Sequence, residues 1–172
     1  MIEKEVKVLE IEKKEIIEKL NKLNAKKVFE GKILTEYYDF KNIQMKNKNS
    51  ILRIRRMGEK SFFEYKEKLS GENKNNIRIN EEISIEIDDF GKARRILEKI
   101  GFELKMKINK YRTSYRIMES YVEIDEIEGI PTFLEIEGEP EKISKIIDIL
   151  GLKNKKIVSF NIFELFKYYS FP

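Results

Sequence analysis

Cysteine, histidine and tryptophan are all absent from the 172 residues, and proline occurs only 3 times. Without cysteine there is no disulfide framework and no thiolate nucleophile or ligand. Without histidine the common zinc sites, imidazole acid–base catalysis and a Ser-His-Asp triad are excluded. A bound metal must then sit among oxygen donors, which favours Mg²⁺, Mn²⁺ or Ca²⁺. No apolar run approaches the roughly 18 residues of a membrane span. Residues 1–7 carry four charged side chains and no apolar signal segment. A cytoplasmic enzyme or binding protein with no membrane partner is the expectation.

Charge is abundant. Charged residues make up 38% of the chain, well above the roughly 25% of an ordinary soluble domain. They nearly cancel: 35 basic against 31 acidic residues leave +4. That balance does not describe a nucleic-acid or membrane coat. The length suits one domain with a real core.

Periodicity gives the elements. Residues 2–10 alternate as a strand, and 12–24 switch to helical spacing with Ile16, Ile17, Leu20 and Leu23 on one stripe. Residues 33–40 read as a strand containing Tyr37 and Tyr38, and 46–50 as a polar turn. Segments 50–57 and 61–69 form a hairpin around Gly58-Glu59, followed by a polar loop over 70–76. Residues 77–87 are a strand with Ile79, Ile83, Ile85 and Ile87 in one phase. Asp88 or Asp89 caps a helix that stops near Gly101. Residues 102–118 are a strand pair or one bent strand. Leu104, Met106 and Ile108 there share a phase with Lys110 and Arg112, which a bulge near Asn109 would explain. A second hairpin joins 121–126 to 131–138. Pro140 opens a helix that Gly151 stops, and a last short helix lies within 160–169. There is no repeat and no linker, so a single domain over 1–172 is expected. The order predicts an α+β fold with a large antiparallel sheet, long enough to curl into a barrel.

The charges fall on alternate strand positions. Glu3, Glu5 and Lys7 share one face, with Val6 and Val8 on the other. The same design recurs in Arg53/Arg55, Glu64/Lys66, Lys110/Arg112, Glu123/Asp125 and Glu135/Glu137. For any one strand, a half-exposed sheet with a wet face accounts for this. Across the chain the signs are grouped, and like charges side by side repel. A barrel with a charged interior gives both groups a task. Close carboxylates attract a divalent cation, and Arg and Lys clamp phosphate oxygens. A polyphosphate is the anion that calls on both.

Glu3-x-Glu5-x-Lys7 resembles the ExExK signature of the CYTH superfamily, the triphosphate tunnel metalloenzymes. Tyr37-Tyr38-Asp39, Leu52-Arg53-Ile54-Arg55, Tyr65-Lys66, Lys110-x-Arg112, Asp125 and Phe133-Leu134-Glu135-Ile136-Glu137 follow in the family's order. The resemblance implies an eight-stranded antiparallel β-barrel, the triphosphate tunnel, with flanking helices. It implies that Glu3, Glu5, Glu135 and Glu137 bind Mg²⁺ or Mn²⁺ with Asp125 nearby, and that Glu82 helps a second metal. It implies that Lys7, Arg53, Arg55, Lys66, Lys110 and Arg112 bind the triphosphate. Two departures stand out: Ser84 replaces a second Glu, and the His-Phe motif of the best-known cyclases is missing.

The substrate implied is ATP, tripolyphosphate or thiamine triphosphate, with no nucleic-acid partner. The chain looks most like the class IV adenylyl cyclases, which make cyclic AMP and pyrophosphate. Triphosphate hydrolysis is the first alternative, and a non-catalytic polyphosphate or nucleotide-binding module the second. A plain structural domain would leave the grouped charges unexplained. Lys66 is the candidate general base if its arginine neighbours lower its pKa; otherwise it is a charged phosphate clamp. Tyr37 and Tyr38 either pack the wall or orient a water or base ring. The aromatic stretch 160–171 is either a cap or an interface, and the family analogy permits a homodimer.

Overall fold

The computed structural model describes residues 1–69 and 76–170, so nearly all of the polar loop read at 70–76 lies outside the described residues. Its strands are β1 (Ile2–Val8), β2 (Lys26–Phe40), β3 (Ser50–Met57), β4 (Lys60–Lys68), β5 (Arg78–Ile87), β6 (Phe102–Ile117), β7 (Ser120–Ile127), β8 (Ile130–Glu137) and β9 (Ile157–Val158). The helices are α1 (Lys13–Lys22), α2 (Gln44–Asn47), α3 (Phe90–Lys99), α4 (Pro140–Ile149) and α5 (Ile162–Tyr169). Strands follow the order β5-β4-β3-β2-β6-β7-β8-β1-β9, and β5 also pairs with β1. That extra pairing closes eight strands into an antiparallel barrel, with β9 outside it. The fold is α+β, as the element order predicts. No helix among the described residues is long and apolar enough to cross a membrane.

The chain divides into two compact units. One comprises Glu3–Glu30, Gly71–Ile79 and Tyr111–Pro172. Its core is built where strand alternation meets helical spacing. Val6, Val8, Ile124, Leu134 and Ile136 pack with Ile16 and Leu20 of α1, with Ile143 and Ile146 of α4 and with Leu150 just after it. Burying each such side chain is worth about 1.5–3 kcal/mol. Pro140 supplies a fixed φ at the start of α4. Gly151 ends it with φ +68°, a conformation that costs a residue with a Cβ.

The other unit comprises Met1–Ile2, Gly31–Ser70 and Asn80–Lys110. Tyr38, Leu52 and Ile54 pack against Phe90 and Leu97 of α3. The side chain of Asp89 caps α3 by accepting from the backbone N–H of Lys92 at 2.9 Å. An ionic clasp from α3 to a buried carboxylate adds to this contact. Glu36, only 1% exposed, accepts from Arg94 Nε at 2.9 Å and Arg94 Nη2 at 2.5 Å. Tyr38 also donates to Glu36, at 2.7 Å. Burial and the Glu36 charge push the Tyr38 phenol above its ordinary pKa, so it stays a donor.

Three details sharpen the sequence reading. The short helix α2 takes up the first two residues of the turn read at 46–50, and its Met45 and Lys46 N–H groups donate to Asp39 at 2.9 and 3.1 Å. β6 runs as one 16-residue strand, one of the two alternatives read from the sequence. Leu104 at its start is half exposed whereas Ile108, in the same phase, is buried, so that phase does not mark one covered face along the whole strand. On β5, Ile87 packs into one core and Ile79 against the other, but Ile83 and Ile85 between them are more than half exposed.

Candidate functional site

In the unit containing β7 and β8, alternation separates two chemistries. Val6, Val8, Val122, Ile124, Leu134 and Ile136 are committed to the helix-covered core. The opposite strand faces therefore carry Glu3, Glu5 and Lys7 on β1, Glu123 and Asp125 on β7, and Glu135 and Glu137 on β8. Register then decides neighbours: Glu5 stands opposite Glu137, Lys7 opposite Glu135, and Glu123 opposite Glu135. On β6, Tyr115 faces the core, which leaves Arg112 and Ser114 on the charged face.

Two buried cations organise this cluster. Lys7 Nζ lies 2.9 Å from Glu135 and 3.6 Å from Glu5. Arg112 donates Nε to Asp125 Oδ1 at 2.6 Å and Nη2 to Asp125 Oδ2 at 2.5 Å, a fork-on-fork pair. It also donates Nη1 to Glu123 and Nη2 to Glu135. Ser114 Oγ donates to Glu123 at 3.0 Å. Burial disfavours the charged form of Lys7, but Glu135, Glu5 and Glu3 outweigh it and raise its pKa. The same contest at Arg112 is decided by Asp125, Glu123 and Glu135, again upward. Both cations are therefore protonated at neutral pH. They face four carboxylates, those of Glu5, Glu123, Asp125 and Glu135, so the cluster is net negative.

In the other unit, Leu52, Ile54, Phe63 and Tyr65 face the core. Arg53 and Arg55 of β3, Glu64 and Lys66 of β4 and Glu82 and Ser84 of β5 take the opposite face. Arg53 stands opposite Glu64, Lys66 opposite Glu82, and Glu64 opposite Ser84. Glu64 Oε2 accepts from Arg53 Nε and Glu64 Oε1 from Arg55 Nη2, both at 2.5 Å. Glu82 lies 3.7 Å from Arg53 and 3.4 Å from Lys66. Burial pushes the Glu64 carboxyl up, but Arg53, Arg55 and Lys66 overcome it and hold the pKa at about 2. Three cations meet two carboxylates here, so this cluster is net positive. Arg55, Glu64, Glu82 and Ser84 line an open cavity of about 450 Å³ with Met1 and Ile83.

The structure thus brings Glu5, Lys7, Arg112, Asp125 and Glu135 into one ionic network, and Arg53, Arg55, Lys66 and Glu82 into another. Glu3 is buried on the charged face of β1. Lys110 is half-buried on β6, two residues before Arg112. Tyr37 stands opposite Arg53 and shares its face, whereas Tyr38 belongs to the core. Four participants were not assigned from the sequence: Glu64, Ser84, Glu123 and Ser114. Glu64 and Glu123 carry the alternation signal, on the same strand faces as Lys66 and Asp125. Ser84 and Ser114 carry only their parity with Glu82 and Arg112.

The donor set suits a hard divalent cation. It offers carboxylate oxygens only, and the opposed pair Glu5/Glu137 repels unless a positive charge stands near. Among the described residues, no three carboxylates converge closely enough to hold an ion as they stand. Those of Asp125, Glu123 and Glu135 are engaged by Lys7 and Arg112.

The family model described as the CYTH domain matches residues 1–158. The chain belongs to the CYTH family. A Methanocaldococcus jannaschii protein, provisionally named an adenylate cyclase, is 30% identical over 96% of this chain and 98% of its own length. A conserved hypothetical protein of Pyrococcus furiosus superposes with a TM-score of 0.80 at 27% identity, covering 95% of this chain and 99% of its own. A Hippeastrum protein, provisionally named an adenylyl cyclase and described as having a dominant triphosphatase activity, shares the fold. Its TM-score is 0.70 at 20% identity, covering 97% of this chain and 95% of its own.

Proposed function

We propose that this CYTH protein is a divalent-metal-dependent enzyme acting on a triphosphate, and that its reaction is adenylyl cyclase-like, turning ATP into cyclic AMP and pyrophosphate. The observation that carries this reading is the separation of charge between the two clusters. Lys7 and Arg112 are outnumbered by carboxylates, whereas Glu64 and Glu82 are outnumbered by Arg53, Arg55 and Lys66. A metal cation suits the first excess and phosphate oxygens suit the second.

Glu3, Glu5, Asp125, Glu135 and Glu137 would hold Mg²⁺ or Mn²⁺, with Glu82 available toward a second ion. The bound metal would supply Lewis-acid polarisation of phosphoryl oxygens. Arg53, Arg55, Lys66 and Lys110, with Lys7 and Arg112, orient the triphosphate and meet the charge that builds on its oxygens as the P–O bond breaks. Lys66 is the chain's candidate to take the nucleophile's proton. Glu82 at 3.4 Å suits an ammonium there, however, which supports Lys66 as a phosphate clamp.

The name carried by the Methanocaldococcus jannaschii relative supports the cyclase product. The Hippeastrum protein supplies the second reading, hydrolysis of a nucleoside triphosphate, tripolyphosphate or thiamine triphosphate. Both reactions use the same clamp and differ in which phosphorus faces the nucleophile. Incubation of the protein with Mg²⁺ or Mn²⁺ and each substrate, followed by separation of products, tests them. Cyclic AMP with pyrophosphate establishes the cyclase and orthophosphate the triphosphatase. No turnover of any triphosphate removes the enzyme reading and leaves a polyphosphate-binding module.

A further inference from the structure

We propose that Glu64 is a positioning residue that makes the Arg53–Arg55 pair selective for a polyphosphate over a single phosphate group. This rests on the reading of both arginines as phosphate-binding.

The geometry is asymmetric. The Glu64 side chain is 0% exposed, whereas those of Arg53 and Arg55 are 15% and 19% exposed. The carboxylate is the most deeply buried of the three groups. Each of its oxygens accepts from a different arginine. One carboxylate thereby sets the relative orientation of two planar forks that would otherwise sample separate rotamers. Ser84 Oγ, 3.5 Å from Glu64 Oε1 on the next strand, flanks the same oxygen. Glu64 stays ionised, because its cationic neighbours hold its pKa far below neutrality.

The ionised carboxylate also cancels part of the charge it organises. Two bare guanidiniums make a strong site for any phosphate dianion. With Glu64 between them their net charge is halved, and a single phosphate group faces both attraction and repulsion at close range. A polyphosphate spreads its charge beyond this pair, so Glu64 weakens its binding proportionally less. Selectivity then arises from a repulsive element built against the smaller ligand. A buried ion pair is on average no better than an apolar pair of the same volume.

The test is calorimetric titration of the full chain, wild type and Glu64→Gln, with orthophosphate and with tripolyphosphate. Glutamine keeps the shape and one acceptor oxygen but removes the charge. Orthophosphate should bind Glu64→Gln on the order of tenfold more tightly than wild type, with the tripolyphosphate affinity moving much less, so that the ratio of the two affinities collapses. An unchanged ratio overturns the inference, whether both affinities fall together or both rise. If Glu64→Gln does not fold, Glu64→Asp carries the test. It keeps the charge but is one methylene too short to bridge both forks. Its orthophosphate affinity should stay low while tripolyphosphate binding weakens, and an unaltered tripolyphosphate affinity overturns the positioning role. A wild-type chain that binds neither ligand overturns the triphosphate reading itself and this inference with it. Wild-type selectivity that survives in Glu64→Gln overturns only the role of Glu64.

Discussion

Glu5 on β1 and Glu137 on β8 stand directly opposite each other in the antiparallel ladder. Opposed residues of a sheet have Cβ atoms roughly 5 Å apart, and like charges there are destabilising. On the proposed function, a metal cation would offset the repulsion within this pair.

Replacing Glu137 by Gln should therefore act oppositely on stability and on catalysis. In EDTA, Glu137→Gln should be more stable than wild type by about 0.5 kcal/mol, read from urea unfolding. With excess Mg²⁺, wild type should gain more in Tm than the variant does, and metal-dependent turnover should be lost in the variant. A variant that keeps full turnover and an equal Mg²⁺-induced rise in Tm would remove Glu137 from the metal set.

Arg112 neutralises parts of three carboxylates at once. Arg112→Ala should cost about 3–5 kcal/mol, because Asp125 and its neighbours would be left buried without a counter-charge. Arg112→Lys should recover only a fraction, since an ammonium cannot match the two-pronged contact with Asp125. Denaturant midpoints for the two variants decide this. Equal stability of Lys and wild type would show that charge alone, without the planar fork, is sufficient.

Acid stability should report Glu64. Its folded pKa of about 2 lies below its ordinary 4.5, so its charged form stabilises the fold. That contribution is complete above pH 4.5 and is lost as pH falls from there through about 2. The loss is on the order of 3 kcal/mol. Glu64→Gln should thus be less stable than wild type at pH 7, and the two stability curves should converge toward pH 2. Parallel curves across that window would mean that Glu64 is not held ionised by Arg53 and Arg55.

The core faces of β1, β3 and β8 were legible because those strands carry a two-residue alternation. Val6/Val8, Leu52/Ile54 and Leu134/Ile136 all lie where that alternation puts them. Helix ends were legible from single residues with one physical meaning: Asp89, Gly101, Pro140 and Gly151. Alternation says which residues share a face but not whether anything covers that face, which is why Ile83 and Ile85 read like Ile79 and Ile87 yet lie exposed. The charged network was legible as a set and not as partners. Lys7 meets Glu135 across most of the chain length, through a register that only strand pairing fixes. Glu64 went unassigned because its meaning comes from standing opposite Arg53, and a hairpin turn that slipped by one residue would have put it elsewhere.

The clasp between Glu36 and Arg94 bears on how α3 docks. Greasy surfaces tolerate sliding, because one apolar neighbour replaces another at little cost. A fully buried carboxylate does not, since displacement of Arg94 by even one position would strand an ion in a low-dielectric wall. The helix accordingly has a single seating, chosen by the penalty on every other one.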